Sequence, residues 1–396
     1  MKNEFDFSTQ MLYAGSDIKN FPLKPESAPL FMATAFDIDG NLDDVETAYN
    51  NHDYTYIRTI SPNRDMLAEK VSFMEGGEKS AIFSSGMSAI LTVLMSYLKA
   101  GDHLIAGDTL YGETIELIEI LENYGIEYTF ADLGDLKAVE AAMKPNTKVI
   151  YGETASNPCM ALADIEGCAE IAHKAGAVLV IDNTFVTAYA VKCLAKGADI
   201  VINSLTKFVG GHSDVLLGSA TGSAEMMAPV LKNQPVFGTA GGNFNIWMCL
   251  RSMQTLGLRI SKQMENADKL ARALEKDPHV VKVNYPTVEK YPQKELAHAL
   301  FAEGGGCGAM LSFEMPADRA KINEFMKRLK ICHYAPTLGG LKTTMSHPCT
   351  SSHRELTPEM RAELGITEGL MRISVGIEEA DDLIKDFTEA LKAFDE

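Results

Sequence analysis

The chain has 396 residues, enough for two or more domains with substantial cores. Its 54 acidic and 36 basic residues give a net charge of −18, which argues against a nucleic-acid or anionic-membrane surface. No apolar run approaches the roughly 18 residues of a membrane span, Met1-Lys2-Asn3-Glu4-Phe5-Asp6 lacks an apolar secretory core, and the 7 cysteines, with no C-x-x-C pair, fit a reduced, cytoplasmic setting.

Residues 1–60 carry scattered prolines and no strong periodicity, which reads as an extended arm. Over 61–259, helix Asp65–Met74 precedes strand Ser80–Phe83, then helix Ser88–Leu98 and strand His103–Ala106. Helix Glu113–Tyr124, strand Glu127–Phe130, helix Leu136–Met143 and strand Lys148–Tyr151 follow. Helix Ile165–Lys174 leads into strand Val178–Ile181, and a further strand covers Ala198–Ile202. Such alternation predicts an α/β unit with a mostly parallel central sheet and helices on both faces. A continuous helical pattern over Trp247–Ala273 bridges to residues 260–396. There strands Ala309–Phe313 and Leu370–Val375 mix with helices Ala317–Lys327 and Ala380–Lys392, predicting a smaller α+β C-terminal domain. Gly238-Thr239-Ala240-Gly241-Gly242-Asn243 reads as a mobile glycine-rich loop.

Three places in the larger unit carry chemistry. The apolar run Ala177-Val178-Leu179-Val180-Ile181 ends at Asp182, where the carboxyl end of a buried strand faces ligands. Strand Ala198–Ile202 leads to Ser204-Leu205-Thr206-Lys207, a lysine with two hydroxyls on the preceding turn. Ser84-Ser85-Gly86-Met87 lies between a strand and a helix, where free N–H groups attract an anion and glycine permits close approach. Taken singly, these segments read as a solvated turn and an ordinary serine cap. Together they supply what pyridoxal 5′-phosphate (PLP) needs from a protein. An amine condenses with its aldehyde, donors hold its phosphate, and a carboxylate keeps its pyridine nitrogen protonated so that the ring accepts electrons.

With Tyr54-Thr55-Tyr56-Ile57-Arg58 near one end and Gly369-Leu370-Met371-Arg372-Ile373-Ser374-Val375-Gly376 near the other, the motifs resemble, over nearly the whole length, the Cys/Met-metabolism PLP enzymes. This fold type I group includes methionine γ-lyase, cystathionine γ-lyase, cystathionine γ-synthase and O-acetylhomoserine sulfhydrylase. The resemblance implies that the Gly86 and Met87 amides and the Ser204 and Thr206 hydroxyls bind the phosphate. It implies that Tyr56 and Arg58 reach it from a neighbouring subunit, within a homotetramer of two catalytic dimers. Tyr111 would stack on the cofactor and act as acid/base toward the leaving group, made acidic by cations such as Arg58 or the Lys207 amine. Asn157, in Ser156-Asn157-Pro158, would sit near the phenolic oxygen, Arg372 would pair with the substrate α-carboxylate, and Thr337 stands where relatives often have serine. Lys207, once displaced by the substrate amine, would take the Cα proton.

Substrate markers disagree. Methionine γ-lyases commonly place cysteine two residues after the tyrosine, where this chain has Glu113; a glutamate there either receives a cationic distal group or points away. Lys342 resembles the sulfhydrylases, whereas Gly211-His212-Ser213-Asp214 resembles the cystathionine enzymes. Glu153-Thr154-Ala155-Ser156-Asn157-Pro158-Cys159-Met160 is similar to the methionine lyases. The expected activity is γ-elimination of a thiol from L-methionine or a related thioether amino acid, giving 2-oxobutyrate and ammonia; the alternatives are γ-replacement on an activated homoserine, as in O-acetylhomoserine sulfhydrylase or cystathionine γ-synthase, and cystathionine γ-lyase activity. Cys332, His333, His347, Cys349 and His353 cluster in sequence, but their spacings match no zinc template, and no metal is expected.

Overall fold

In a computed structural model, residues 5–18, 22–23, 25–302, 306–354 and 357–395 are described, so most of the N-terminal hexapeptide lies outside. Seven strands build the larger sheet: β1 (Lys79–Phe83), β2 (His103–Gly107), β3 (Glu127–Ala131), β4 (Thr147–Glu153), β5 (Val178–Asp182), β6 (Ile200–Asn203) and β7 (Gly218–Gly222). Their order is β1-β7-β6-β5-β4-β2-β3. The pairings from β6 to β3 are parallel, while β7 is antiparallel to both neighbours, which returns β1 to the direction of β6. All these carboxyl ends except that of β7 therefore open on one edge, where open α/β sheets bind ligands.

Alternation places successive side chains on opposite faces. Ile82, Ile105, Ile150, Leu179, Ile181 and Val201 join one core cluster with Val71 of helix Pro62–Glu75, Cys168 of helix Ile165–Lys174 and Ile260 of helix Leu256–Glu275. Phe83, Leu104, Val149, Tyr151, Val180 and Ile202 join the other, with helices Gly86–Tyr97, Gly112–Glu122 and Ala224–Phe237. Burial on both faces explains the unbroken apolar runs. It also explains why β7 escaped the sequence reading, since Gly218-Ser219-Ala220-Thr221-Gly222 is fully buried yet carries no large apolar residue.

The second sheet holds β8 (Lys282–Asn284), β9 (Met310–Glu314), β10 (His333–Tyr334), β11 (Thr344–Ser346) and β12 (Leu370–Ser374), in the order β10-β11-β12-β9-β8. Helix Leu256–Glu275 ties it to the first: Gln263 Nε2 donates to the Gly340 and Val375 carbonyls, and Asn266 Nδ2 to those of Gly376 and Glu378. Arg259, on the same helix, donates to the Phe208, Val209 and Ser252 carbonyls and pins the segment after Lys207. Buried charged donors that satisfy carbonyls are costly to remove. Arg259→Met is expected to destabilise the chain by about 3 kcal/mol in urea unfolding.

Three expectations are corrected. The arm contains helices Phe7–Tyr13 and Leu42–Asn50, the latter started by an Asn41–Asp44 capping box that the sequence reading passed over. The single helix expected over Trp247–Ala273 is two, Asn243–Met253 and Leu256–Glu275, broken at Gln254-Thr255. The loop expected to be mobile covers the open edge of β1: Ser84 N donates to Thr239 O, Gly241 N donates to Ile82 O, and Ala240 bridges Phe83. Small residues serve this approach, because a Cβ on Gly241 would lie 2.8 Å from Leu217 Cδ2.

Candidate active site

A cavity of about 200 Å³ opens between the carboxyl edge of the large sheet and the second sheet. Its wall brings together Ser85, Gly86, Met87, Tyr111, Asn157, Asp182, Ser204, Thr206, Lys207, Thr337 and Arg372 from the sequence-based set.

Most follow strand ends of the large sheet, while Arg372 sits within β12 and Thr337 on the loop after β10. Ser85 caps helix Gly86–Tyr97 by accepting from Ser88 N, which leaves the first-turn amides at the cavity. Glycine suits position 86: a Cβ would lie 3.0 Å from Ser204 Cβ, crowding the cradle. Ser204 follows β6 and its amide donates to Thr184 Oγ1 at 2.7 Å. The Thr206 hydroxyl is shared with the Leu217 backbone at 3.1 Å, so it both donates and accepts. Gly339, at φ +80°, lets the second sheet's loop touch the lysine backbone; a Cβ would meet Phe208 N at 2.4 Å.

Asp182 accepts from Thr184 N at 2.9 Å, and burial pushes its carboxyl up to about 6. Burial, then the nearby Arg372, lowers Lys207 from the ordinary amine range, so more of the amine is neutral. Arg372 Nη1 donates to Asn157 Oδ1 at 3.0 Å, while its Nε is buried without a partner. A carboxylate is the natural acceptor for that orphaned donor.

Glu153, Thr184, Thr114 and Phe185 also line the cavity, and the sequence reading assigned none of them a role. Glu153 stands opposite Asp182 in the β4–β5 register and accepts from Tyr111 N at 2.8 Å. Burial and then Asp182 push it up to about 8. A signal existed, since Glu153 ends the run Val149-Ile150-Tyr151-Gly152 as Asp182 ends its own.

Other candidates lie elsewhere. Ser84 is exposed, bonded to the Ser88 hydroxyl at 3.1 Å. Tyr56 and Arg58 are exposed away from the wall, with Arg58 Nη1 on Pro235 O at 3.2 Å. Lys342 is exposed and lines neither this cavity nor its neighbour. The cations expected to make Tyr111 acidic are not what surrounds it. Burial and then Glu113, bonded to the phenol, push it up to about 12, and Arg372 only partly opposes them. Glu113 lines an adjoining cavity of about 340 Å³ with Glu116, Ser346, Ser351, Ser352 and Arg354, and Tyr111, Pro336 and Arg372 form the shared wall. His347 is held by Thr350 and the Glu368 carbonyl, and the Cys332 amide by Asp386. Among the described residues, no group of three or more His, Cys, Asp or Glu could hold a metal ion.

The wall fits PLP through its donor set. Residues of the helix N-terminus, the Ser204 and Thr206 hydroxyl residues and Lys207 line one cavity, and Asp182, which ends the central strand, lines it too. The chain is 40% identical over 341 residues to cystathionine beta-lyase MetC of Bacillus subtilis, covering 86% of each. It is 40% identical over 343 residues to L-methionine gamma-lyase of Porphyromonas gingivalis, covering 85% of each. The crystal structure of cystathionine gamma synthase from Xanthomonas oryzae pv. oryzae in complex with cystathionine superposes with a TM-score of 0.92 at 33% identity, covering 99% of both chains. The architecture is that of fold type I PLP enzymes, and the family model for Cys/Met metabolism PLP-dependent enzymes matches residues 8–392: the chain belongs to that family, with PLP as its cofactor.

Proposed function

We propose that this enzyme is a carbon–sulfur lyase that eliminates a thiol from a thioether amino acid, methionine or a larger relative. The observation that carries it is the meeting of Lys207, Asp182, Tyr111 and Arg372 on one wall. PLP supplies the electron sink that makes the Cα proton of an amino acid removable. The phosphate end is held by the Gly86 and Met87 amides with Ser204 and Thr206. Those donors are uncharged, and Arg58 of a second copy completes them within a homotetramer. Arg372 fixes the substrate α-carboxylate and so orients Cα toward Lys207. Lys207, its amine lowered by burial, takes the Cα proton, and for a γ-substituent a second proton leaves Cβ before the carbon–sulfur bond breaks. Tyr111 keeps its proton at neutral pH and gives it to the departing sulfur.

The neighbouring cavity favours a second reading within this class, cystathionine as substrate. Glu113 and Glu116 beside Arg354 and three serines form a wall of both charge signs. A methionine methyl leaves that wall unused, whereas a distal ammonium and carboxylate engage it. Glu113→Gln is expected to lower kcat/KM for cystathionine about tenfold more than for methionine. The deciding experiment measures 2-oxobutyrate and pyruvate release from L-methionine, L-cystathionine and O-acetyl-L-homoserine, each with and without sulfide. Steady keto-acid release from a thioether alone supports the lyase, and the keto acid reports γ- or β-cleavage. Sulfide consumption confined to the acetyl ester would sink it in favour of a sulfhydrylase.

A further inference from the structure

Glu75 and Asn203 form a buried pair that the chemistry above leaves unused. Glu75 closes helix Pro62–Glu75 at 0% exposure, and Asn203 closes β6 at 1%. Asn203 Nδ2 donates to Glu75 Oε1 at 2.9 Å. The remaining acceptor of each, Glu75 Oε2 and Asn203 Oδ1, is buried without a partner. Ser219, opposite Asn203 in register, does not supply the missing donor, since its own hydroxyl is unpartnered. An ionised Glu75 is acceptor-only and leaves both oxygens orphaned. One proton on Oε2, shared with Oδ1, closes an acid–amide ring and serves both.

We propose that Glu75 is a neutral carboxylic acid hydrogen-bonded twice to the Asn203 amide, and that this pair positions the end of β6 from which Ser204, Thr206 and Lys207 enter the cofactor site. Lys192, Asp182 and Cys193 are the titratable groups around it. Lys192 spends its ammonium on the Met74 carbonyl at 3.2 Å and over the Phe7 ring at 4.0 Å. Burial pushes the Glu75 carboxyl up to about 7, against the Asn203 bond and Lys192, and Asp182 adds to the rise. Neutrality at Glu75 also spares Asp182 a second buried anion nearby.

The test compares wild type, Glu75→Gln and Glu75→Leu as full-length chains. Without PLP, unfolding midpoints are followed from pH 5 to pH 8.5. A folded pKa above the unfolded one gives stability that is full below about 4.3. That stability is lost as pH rises to about 7. Glutamine has no such proton to lose and still donates to Asn203 Oδ1. Its midpoint advantage over wild type is therefore expected to grow from pH 5 to pH 7 and then level. A glutamine variant that instead loses stability relative to wild type as pH rises would mean an ionised Glu75 paired with Lys192, and would overturn the proposal. The positioning half rests on the cofactor-site reading and is judged by PLP titration. Glu75→Gln is expected to bind PLP within about threefold of wild type and Glu75→Leu about tenfold more weakly. Wild-type affinity in a folded leucine variant would refute positioning; if that variant does not fold, the glutamine pH series decides. Failure of wild type itself to bind PLP would be a failure of the site reading instead.

Discussion

Lys207→Ala is expected to lower keto-acid release from the best thioether substrate by at least about 10³-fold. In the proposed function the lysine does two things in one place: it holds the cofactor covalently and moves the Cα proton. Its setting suits both. Burial and Arg372 shift the amine toward its neutral form, and the carbonyls after it are pinned by Arg259. The substitution leaves the backbone bonds of the segment intact, Lys207 N to Ser204 O and Gly211 N to Lys207 O, so the variant is expected to fold normally. Added methylamine should restore part of the rate, since a small amine can take up the proton in the vacated space. Full activity without the lysine would refute its assignment as catalytic base.

How far the sequence carries can be argued from particular residues. Asp182 was legible because a run buried on both faces has to stop where the sheet meets its ligand, and a carboxylate at that stop stands out. Lys207 was legible through its two hydroxyls and the strand before it. Glu153 obeys the same rule as Asp182 and was passed over, because Thr154-Ala155-Ser156 continues without a break and the register between β4 and β5 cannot be read from either strand alone. β7 was illegible for the opposite reason: close packing against Ser85 demands small residues, and a Cβ on Gly218 would lie 2.2 Å from Ser85 O. Small residues carry no periodic signal. The adjoining cavity was also hidden. It joins Glu113 to Ser346, Ser351 and Arg354 across more than half the chain, a proximity only the packing of the two sheets creates.

Asp182→Asn is expected to separate catalysis from stability in opposite directions. The asparagine has the same shape and its carbonyl can still accept from Thr184 N, but it cannot hold a positive charge on the cofactor ring, so kcat is expected to fall about 10²–10³-fold. PLP affinity should fall far less, because the lysine and the phosphate donors are untouched. Without PLP, the wild-type carboxylate is a liability. Its folded pKa of about 6 lies above the unfolded value, so its stabilising contribution is complete below about pH 4 and is lost as pH rises through 6. Above pH 7 the asparagine chain should therefore be more stable, by an amount on the order of 2 kcal/mol, and the advantage should vanish near pH 4. Glu153 should follow, ionising more easily once the neighbouring anion is gone. Denaturant unfolding of both PLP-free chains at pH 8 and at pH 4.5 tests this directly. An asparagine variant that is less stable at both pH values would mean that Asp182 earns its place structurally rather than through the charge it presents to the cofactor. A more stable but nearly inactive variant would identify Asp182 as a buried charge that the fold carries for the reaction.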